Sequence, residues 1–273
     1  MADYPPIEAY EELDSTNAEA RRRAEAGEGG PVWITAGRQT AGRGRRGRAW
    51  STETGNLAAT LLTTTDVPPA EAAQLSFVAA LAAADLADTC LGPGAARLKW
   101  PNDVLVFGKK AVGILVESGA RPDARLWLAV GIGVNLAHAP TDTERPATAF
   151  AEHMAGPPPK PRDALQVLAT RFEAWRKLWA TQGFLPIAQG WTARAHGLGE
   201  RCEARLPDRT LTGVADALAL AVEELRPLDL AAASSHDYDP THYQAVLFCA
   251  DSFEEMYKAV RDFLSRWNKR SEN

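Results

Sequence analysis

The chain has 273 residues and a 45% apolar fraction, enough for one large core or a large domain with a small one attached. With 35 acidic residues against 30 lysines and arginines the net charge is -5, which argues against a general nucleic-acid binder. Met1 to Pro6 has neither the basic nor the apolar region of a signal peptide, and no apolar run approaches the roughly 20 residues of a membrane span. Three scattered cysteines, Cys90, Cys202 and Cys249, form no CxxC pair, so reduced thiols in a cytoplasm and no zinc signature are expected.

In chain order, Asp14-Ser15-Thr16-Asn17 precedes a short helix from Ala18 to Ala26, with Thr16 and Glu19 as a capping box and Gly27 as the stop. Val32 to Ala36 is a short apolar strand, Leu57 to Leu62 the next, and the alanine-rich Ala70 to Leu91 reads as a buried helix. Arg97 to Trp100 is a strand stopped by Pro101. Val104 to Phe107 and Ala111 to Glu117 flank Gly108-Lys109-Lys110 in a hairpin pattern. Leu126 to Leu136 is a further strand, and its Gly131 and Gly133 mark close approach by a ligand or another backbone.

Residues 137–162 are proline-rich and read as loop. Asp163 to Ala180 is an amphipathic helix with Leu165, Leu168, Phe172, Trp175 and Trp179 on one face. Arg201 to Gly213 alternates like a strand and opens a small β domain. A final amphipathic helix follows the capping box Ser252-Phe253-Glu254-Glu255, with Phe253, Met256, Tyr257, Val260, Phe263, Leu264 and Trp267 at helical spacing.

Between the first two apolar strands lies Gln39-Thr40-Ala41-Gly42-Arg43-Gly44-Arg45-Arg46-Gly47-Arg48-Ala49-Trp50, a run dense in glycine and arginine. Glycine permits close backbone approach to a ligand, and guanidinium forks match carboxylate and phosphate oxygens. Read alone, such a loop cradles phosphates, or is a nucleic-acid patch, or is merely solvated. It is neither a Walker A loop nor a GxGxxG turn. Lys99, at a strand end beside Trp100 and Pro101, could neutralise charge on a phosphate or an attacking carboxylate, or be an ordinary edge lysine. Asn102 and Asp103 are turn residues, or hold Mg²⁺, or orient Lys99. Gly113-Ile114-Leu115-Val116-Glu117 and Gly131-Ile132-Gly133-Val134-Asn135 are plain sheet core or the wall under a flat apolar ligand. The 5 histidines show no metal-binding spacing.

In order and spacing, Asp14 to Asn17, Gln39 to Trp50, Lys99 to Val104, Lys109 to Glu117 and Gly131 to Leu136 resemble the motif series of the biotin–protein ligases, also called holocarboxylase synthetases. The resemblance runs over about residues 7–215. It implies an α+β fold, a mixed and mainly antiparallel sheet flanked by helices of the class II synthetase type, with a small C-terminal SH3-like β domain that is incomplete here, since the further strands expected after Gly213 are missing from the sequence. It also implies ATP and biotin as substrates with Mg²⁺, biotinyl-5′-AMP as the intermediate, and transfer to a lysine of a biotin carboxyl carrier domain. By the same resemblance Ser15, Thr16, Asn17, Gln39, Gly42, Arg43, Gly44, Lys99, Gly113, Ile114, Leu115, Gly131 and Gly133 would meet biotin. Arg43, Arg45, Arg46, Arg48, Trp50, Asn102 and Asn135 would meet ATP. Lys99 and Arg45 would act at the reacting centre, and Asp103 is the candidate for a metal.

The expected domains are a catalytic domain over residues 1–190, the opening of the small β domain over 191–218, and an atypical tail over 219–273. Within that tail, Pro227 to Leu230 and Gln244 to Leu264 loosely resemble the end of aromatic amino acid hydroxylases, without their iron ligands. Larger family members carry an N-terminal helix-turn-helix. Asp14 stands too near Met1 to leave room for one, so a ligase without nucleic-acid binding is expected. Two other readings stay open beside the ligase, a biotin or biotinyl-AMP binder with impaired transfer and a lipoate–protein ligase. A homodimer also stays open.

Overall fold

The computed structural model describes residues 4–141, 143, 145–205 and 210–214. The chain divides into two units, Met1–Arg194 and Ala195–Asn273. The first contains β1 (Ile7–Leu13), α1 (Thr16–Glu25), β2 (Val32–Gln39), β3 (Leu57–Thr65), α2 (Pro69–Ala72), α3 (Leu75–Leu91), β4 (Ala96–Lys99), β5 (Asp103–Val106), β6 (Lys109–Ala120), β7 (Leu126–Val134), α4 (Pro161–Gln182) and α5 (Leu185–Ala193). In the second, β8 (Arg201–Arg205) and β9 (Thr210–Val214) pair as an antiparallel hairpin. The amphipathic helix expected over 253–267 lies outside the described residues.

Seven strands form one sheet in the order β1-β2-β3-β7-β6-β5-β4. Only β1 and β2 run parallel, and every other neighbouring pair is antiparallel. The mixed, mainly antiparallel sheet flanked by helices is as expected. Its pleat separates two layers. On one face Ile34, Leu62 and Ala129 bury the apolar side of α1 through Ala20 and Ala24. On the other face Trp33 meets Phe172 of α4 edge-on, with ring centroids 5.6 Å apart.

Alanine and leucine make α3 apolar all round, as a helix covered on every side must be. Ala79 to Ala84 are all buried between the sheet, α4 and α5. The long helix expected over 70–91 breaks at Ala73-Gln74, leaving α2 as a single turn that begins on Pro69. Two elements were not foreseen. In β1 the less exposed positions Ile7, Tyr10 and Leu13 recur every third residue, so the alternation of a half-buried strand is missing. In α5 the breakers Pro186 and Gly190 disguise nine helical residues. Pro186 sits in the first turn, where its lost N–H costs nothing. Gly190 is where α5 crosses Trp175 and Leu81 closely.

Two polar contacts fix α4 and α5 on α3. The indole N–H of Trp175 and the Arg194 guanidinium donate to the two carboxylate oxygens of Asp85, at 2.8 Å and 2.6 Å. Trp179 donates its indole N–H to the Gln74 side chain at 2.8 Å. Asp85→Ala strands two part-buried donors, so the protein should lose about 2 kcal/mol of stability in urea unfolding with an unchanged m-value. A loss under about 0.5 kcal/mol, the size of an ordinary surface substitution, would show that the clamp contributes nothing.

Candidate active site

The site follows from the cross-strand register. Lys99 pairs with Asp103, Asp103 with Gly113, Gly113 with Gly133, Gly133 with Ala58, and Ala58 with Ala36. Directly opposed residues point to the same side of a sheet, so this rung carries two charged groups at one end and nearly bare backbone beyond them. The neighbouring rung is Leu115, Gly131, Thr60 and Ile34. Both rungs lie on the α1 face. Under the body of α1 that face carries Leu62 and Ala129. Under its N-terminus the residues shrink to glycine, alanine and threonine, and a slot opens.

Asn17 closes one end of this slot and is only 3% exposed. Its side-chain N–H₂ donates to the Leu115 carbonyl at 3.2 Å and to Glu117 Oε2 at 2.7 Å, and its Oδ1 accepts from the Thr60 hydroxyl at 2.7 Å. A Cβ on Gly131 would stand 2.0 Å from that Oδ1, so this asparagine requires a glycine beneath it. Beside it, Gln39 Oε1 accepts from the Thr16 N–H at 2.8 Å and from the Thr16 hydroxyl at 3.1 Å. Gln39 Nε2 donates to the Thr52 hydroxyl at 2.9 Å. Ser15, not Thr16, is the N-cap of α1, and its hydroxyl accepts from the Ala18 N–H. Glu19, expected in a capping box, instead pairs with Arg22 and Arg23. The Thr16 and Ala18 amides of α1 are therefore engaged internally.

The glycine-arginine loop is a narrow hairpin. Trp50 N donates to the Gly42 carbonyl at 2.9 Å, Arg43 bridges Ala49, and Gly44 N donates to the Arg48 carbonyl at 2.7 Å around a 3-10 turn at Arg45–Gly47. A Cβ on Gly42 would meet the Trp50 carbonyl at 2.4 Å, so the two legs close only over glycine. Arg43 reaches back to Glu117 on β6. Trp50 lies over the glycine rung, with indole atoms that would fall 2.7 Å from a Cβ at Gly113 and 2.4 Å from one at Gly133. Lys110 Nζ stands 5.5 Å from the Trp50 ring centroid. A cleft of ≈ 680 Å³ is lined by Gln39, Gly42, Trp50, Thr52, Glu53 and His138 among others.

Cations gather at the charged end of the rung. Burial lowers the Lys99 pKa, and the nearby charges of Arg145 and Lys110 act the same way, while Asp103 opposes them. An incoming anion would relieve that repulsion. Asp103, expected as a metal ligand, lies 2.6 Å from Lys110 Nζ. The described residues contain no group of three His, Cys, Asp or Glu able to hold a metal ion.

Three expected contacts are placed differently. Ile114 is 2% exposed and, one residue along β6 from Gly113, turns its side chain into the helical layer. Asn102 donates its side-chain N–H₂ to the Ile114 carbonyl at 2.7 Å, pinning the 100–102 turn to β6. Asn135 is buried and donates to the Thr148 carbonyl at 3.2 Å, holding the loop after β7.

Lys110, Arg145, Thr52, Thr60 and Glu117 join the site without having been named for it. For Lys110 the reason is a β-bulge. The hairpin turns at Phe107 and Gly108, both at positive φ (46° and 81°), rather than at Gly108-Lys109-Lys110. The register then slips between Val104 and Leu105, where Ala111 is the extra residue of β6. Simple alternation would put Lys110 on the face opposite Gly113, and the bulge re-aims it towards Asp103 and Trp50.

The profile of the biotin/lipoate A/B protein ligase family matches residues 11–135. Among curated proteins, the biotin--[acetyl-CoA-carboxylase] ligase of Paracoccus denitrificans is 48% identical over 198 residues, covering 70% of this chain and 82% of that protein. The bifunctional ligase/repressor BirA of Bacillus subtilis (strain 168) is 32% identical over 219 residues, covering 79% and 66%. Among solved structures, the biotin protein ligase of Aquifex aeolicus in complex with biotin and ATP superposes with a TM-score of 0.66 at 28% identity, covering 78% of this chain and 88% of that one. The Leishmania major enzyme in complex with biotinyl-5-AMP gives 0.61 at 28% identity, covering 74% and 86%.

Gly131→Ala should displace Asn17 and cost about 1–3 kcal/mol of stability through overpacking, measured by urea unfolding. Near-unchanged stability would mean that Asn17 is free to move aside.

Proposed function

This chain belongs to the biotin–protein ligases, and from that membership we propose how its site performs the ligase reaction. The enzyme is an ATP-dependent ligase. The carboxylate of biotin attacks the α-phosphate of ATP, forming biotinyl-5′-AMP and expelling pyrophosphate. A lysine amine of a biotin carboxyl carrier domain then attacks the mixed anhydride, forming the amide and releasing AMP. The observation that carries this reading is the rung itself, which sets Lys99 and Lys110 at one end of a glycine-floored slot beneath an arginine loop.

The flat bicyclic ring of biotin lies in the slot beside Leu115, taking the place over Gly113 and Gly133 that the Trp50 indole fills in the ligand-free chain, with Gly131 seating Asn17 next to it. Ser15, Thr16, Asn17 and Gln39 offer polar atoms to its ureido group. The carboxylate points towards Lys99 and Lys110, where Gly42, Gly44 and Arg45 cover it. Two anions must meet there, and fixed cations offset their repulsion without reorganising during the reaction. Trp50 walls the slot, and the loop arginines Arg45 and Arg48 hold the phosphates. Asn102 and Asn135 support the strands behind the nucleotide.

Asp103 serves Lys110 rather than a metal. Mg²⁺ would enter with the phosphates of ATP, which are hard oxygen ligands of the kind it prefers. Among the described residues no helix is long and apolar enough to cross a membrane. A cytoplasmic location, where carboxylases and ATP are available, fits this chemistry.

Intact-mass analysis of a biotin carboxyl carrier domain incubated with the protein, biotin and Mg-ATP should show one added biotinyl group, absent without ATP. Added lipoyl groups in a parallel incubation with lipoate would replace the biotin reading. Lys99→Ala and Lys110→Ala should each fold normally and lower the adenylation rate by roughly 10²–10³-fold, the scale for removing one group that stabilises charge at the reacting centre. Rates like those of the unmodified protein in either variant would remove that lysine from the mechanism.

A further inference from the structure

Glu117 stands on β6 two residues beyond Leu115 and four beyond Gly113, on the same face and at the rim of the slot. Its side chain is 27% exposed, so the carboxylate is neither a free surface group nor a buried one. Its two oxygens have different partners. Oε2 accepts from the side-chain N–H₂ of Asn17 at 2.7 Å, and Oε1 accepts from the Arg43 guanidinium at 3.0 Å. Arg43 also leans on Oε2 at 3.4 Å. Asn17 belongs to the rigid end of the site, locked by Thr60, the Leu115 carbonyl and the bare Gly131. Arg43 belongs to the glycine-rich loop, and its own side chain is 40% exposed.

We propose that Glu117 is a positioning residue, a carboxylate that ties the arginine loop through Arg43 to Asn17 and so holds the loop over the slot. The inference builds on the ligase reading only in what it says the loop covers. The tie itself is a property of the ligand-free chain. A charge pair is suited to this task because its attraction acts over several ångströms and guides the loop back after each opening. Neutralising the carboxylate while keeping its shape removes that attraction but leaves Asn17 an acceptor oxygen. Arg21 on α1, already paired with Glu25 at 2.7 Å, adds a second positive charge within electrostatic range of Glu117.

The test is a double-mutant cycle read by loop opening in the ligand-free full-length protein. Limited trypsin digestion followed by mass measures the rate of cutting after Arg45 and Arg46, sites that every variant of the cycle retains. Glu117→Gln and Arg43→Ala should each speed that cut about fivefold, the upper end for a partly exposed ion pair, provided cleavage follows the open population. The double variant should be no faster than Arg43→Ala alone, within about twofold. Equal acceleration by Glu117→Gln in both backgrounds would overturn the proposal, as would no acceleration in either. If Glu117→Gln failed to fold, Arg43→Ala, which alters only the loop, would decide the matter, and an unchanged cutting rate would overturn it.

Dissociation of preformed biotinyl-AMP gives an independent reading. Glu117→Gln should release it about fivefold faster, the pattern of a lost closing contact, and an unchanged release rate would overturn the proposal. A wild-type protein unable to make biotinyl-AMP would sink the ligase reading and leave the digestion result standing. A loop held normally in Glu117→Gln would sink the positioning role and leave the ligase reading intact.

Discussion

The site depends on places where the sheet has no side chains. Gly113 and Gly133 face each other across β6 and β7, and Gly131 lies one rung away. Each missing Cβ is occupied by something else: the Trp50 indole over the first two and the Asn17 amide over the third. Glycine within a strand weakens it, through backbone entropy and lost packing, by about 0.5–1 kcal/mol relative to alanine. The two strands carrying these glycines are central, with β3 and β5 on their outer sides, so the sheet absorbs that cost where its hydrogen bonding is complete. Edge strands could not supply such a floor and remain ordered.

The electrostatics follow from the same register. A protein of net charge -5 attracts no polyanion in bulk, yet Lys99, Lys110 and Arg145 are brought within mutual influence at one end of the rung. Their repulsion is unfavourable in the free protein, and Asp103 partly relieves it there. An anionic ligand therefore gains both its own attraction and the relief of that repulsion. At the helix terminus beside the slot, Gln39 and Ser15 already satisfy the Thr16 and Ala18 amides.

Much of this was legible in the sequence because it rests on residue type. The Gly42 to Arg48 run, Lys99 before Pro101, and the paired glycine strands mark their own chemistry, and alternation assigned most strands. What stayed hidden depends on register. Lys110 reads as a turn lysine until the bulge at Ala111 is known, and Ile114 reads as a slot residue until the pleat turns it away. Asn102 and Asn135 have the right chemistry for a nucleotide, but their amides are engaged with the Ile114 and Thr148 carbonyls. The strand β1 and helix α5 were missed because each breaks the periodic pattern that would reveal it. Arg145 sits in a proline-rich loop that carries no pattern at all.

The connection of the arginine loop to the rest of the site is the least local feature. Gln39 joins the loop to the start of α1 through Thr16 and Thr52, and Glu117 joins it to Asn17 through Arg43. Both ties end within two consecutive residues of α1, Thr16 and Asn17. These two residues also meet at Thr60, whose hydroxyl bonds Asn17 and lies 2.8 Å from that of Thr16. One buried threonine on β3 therefore carries the junction between the floor of the slot and both legs of the loop. Groups linked this closely do not respond independently, so a ligand that shifts Asn17 or Thr16 by a fraction of an ångström acts on both loop anchors at once. The short segment from Thr16 to Asn17 is thereby the fixed point to which both ties of the loop lead.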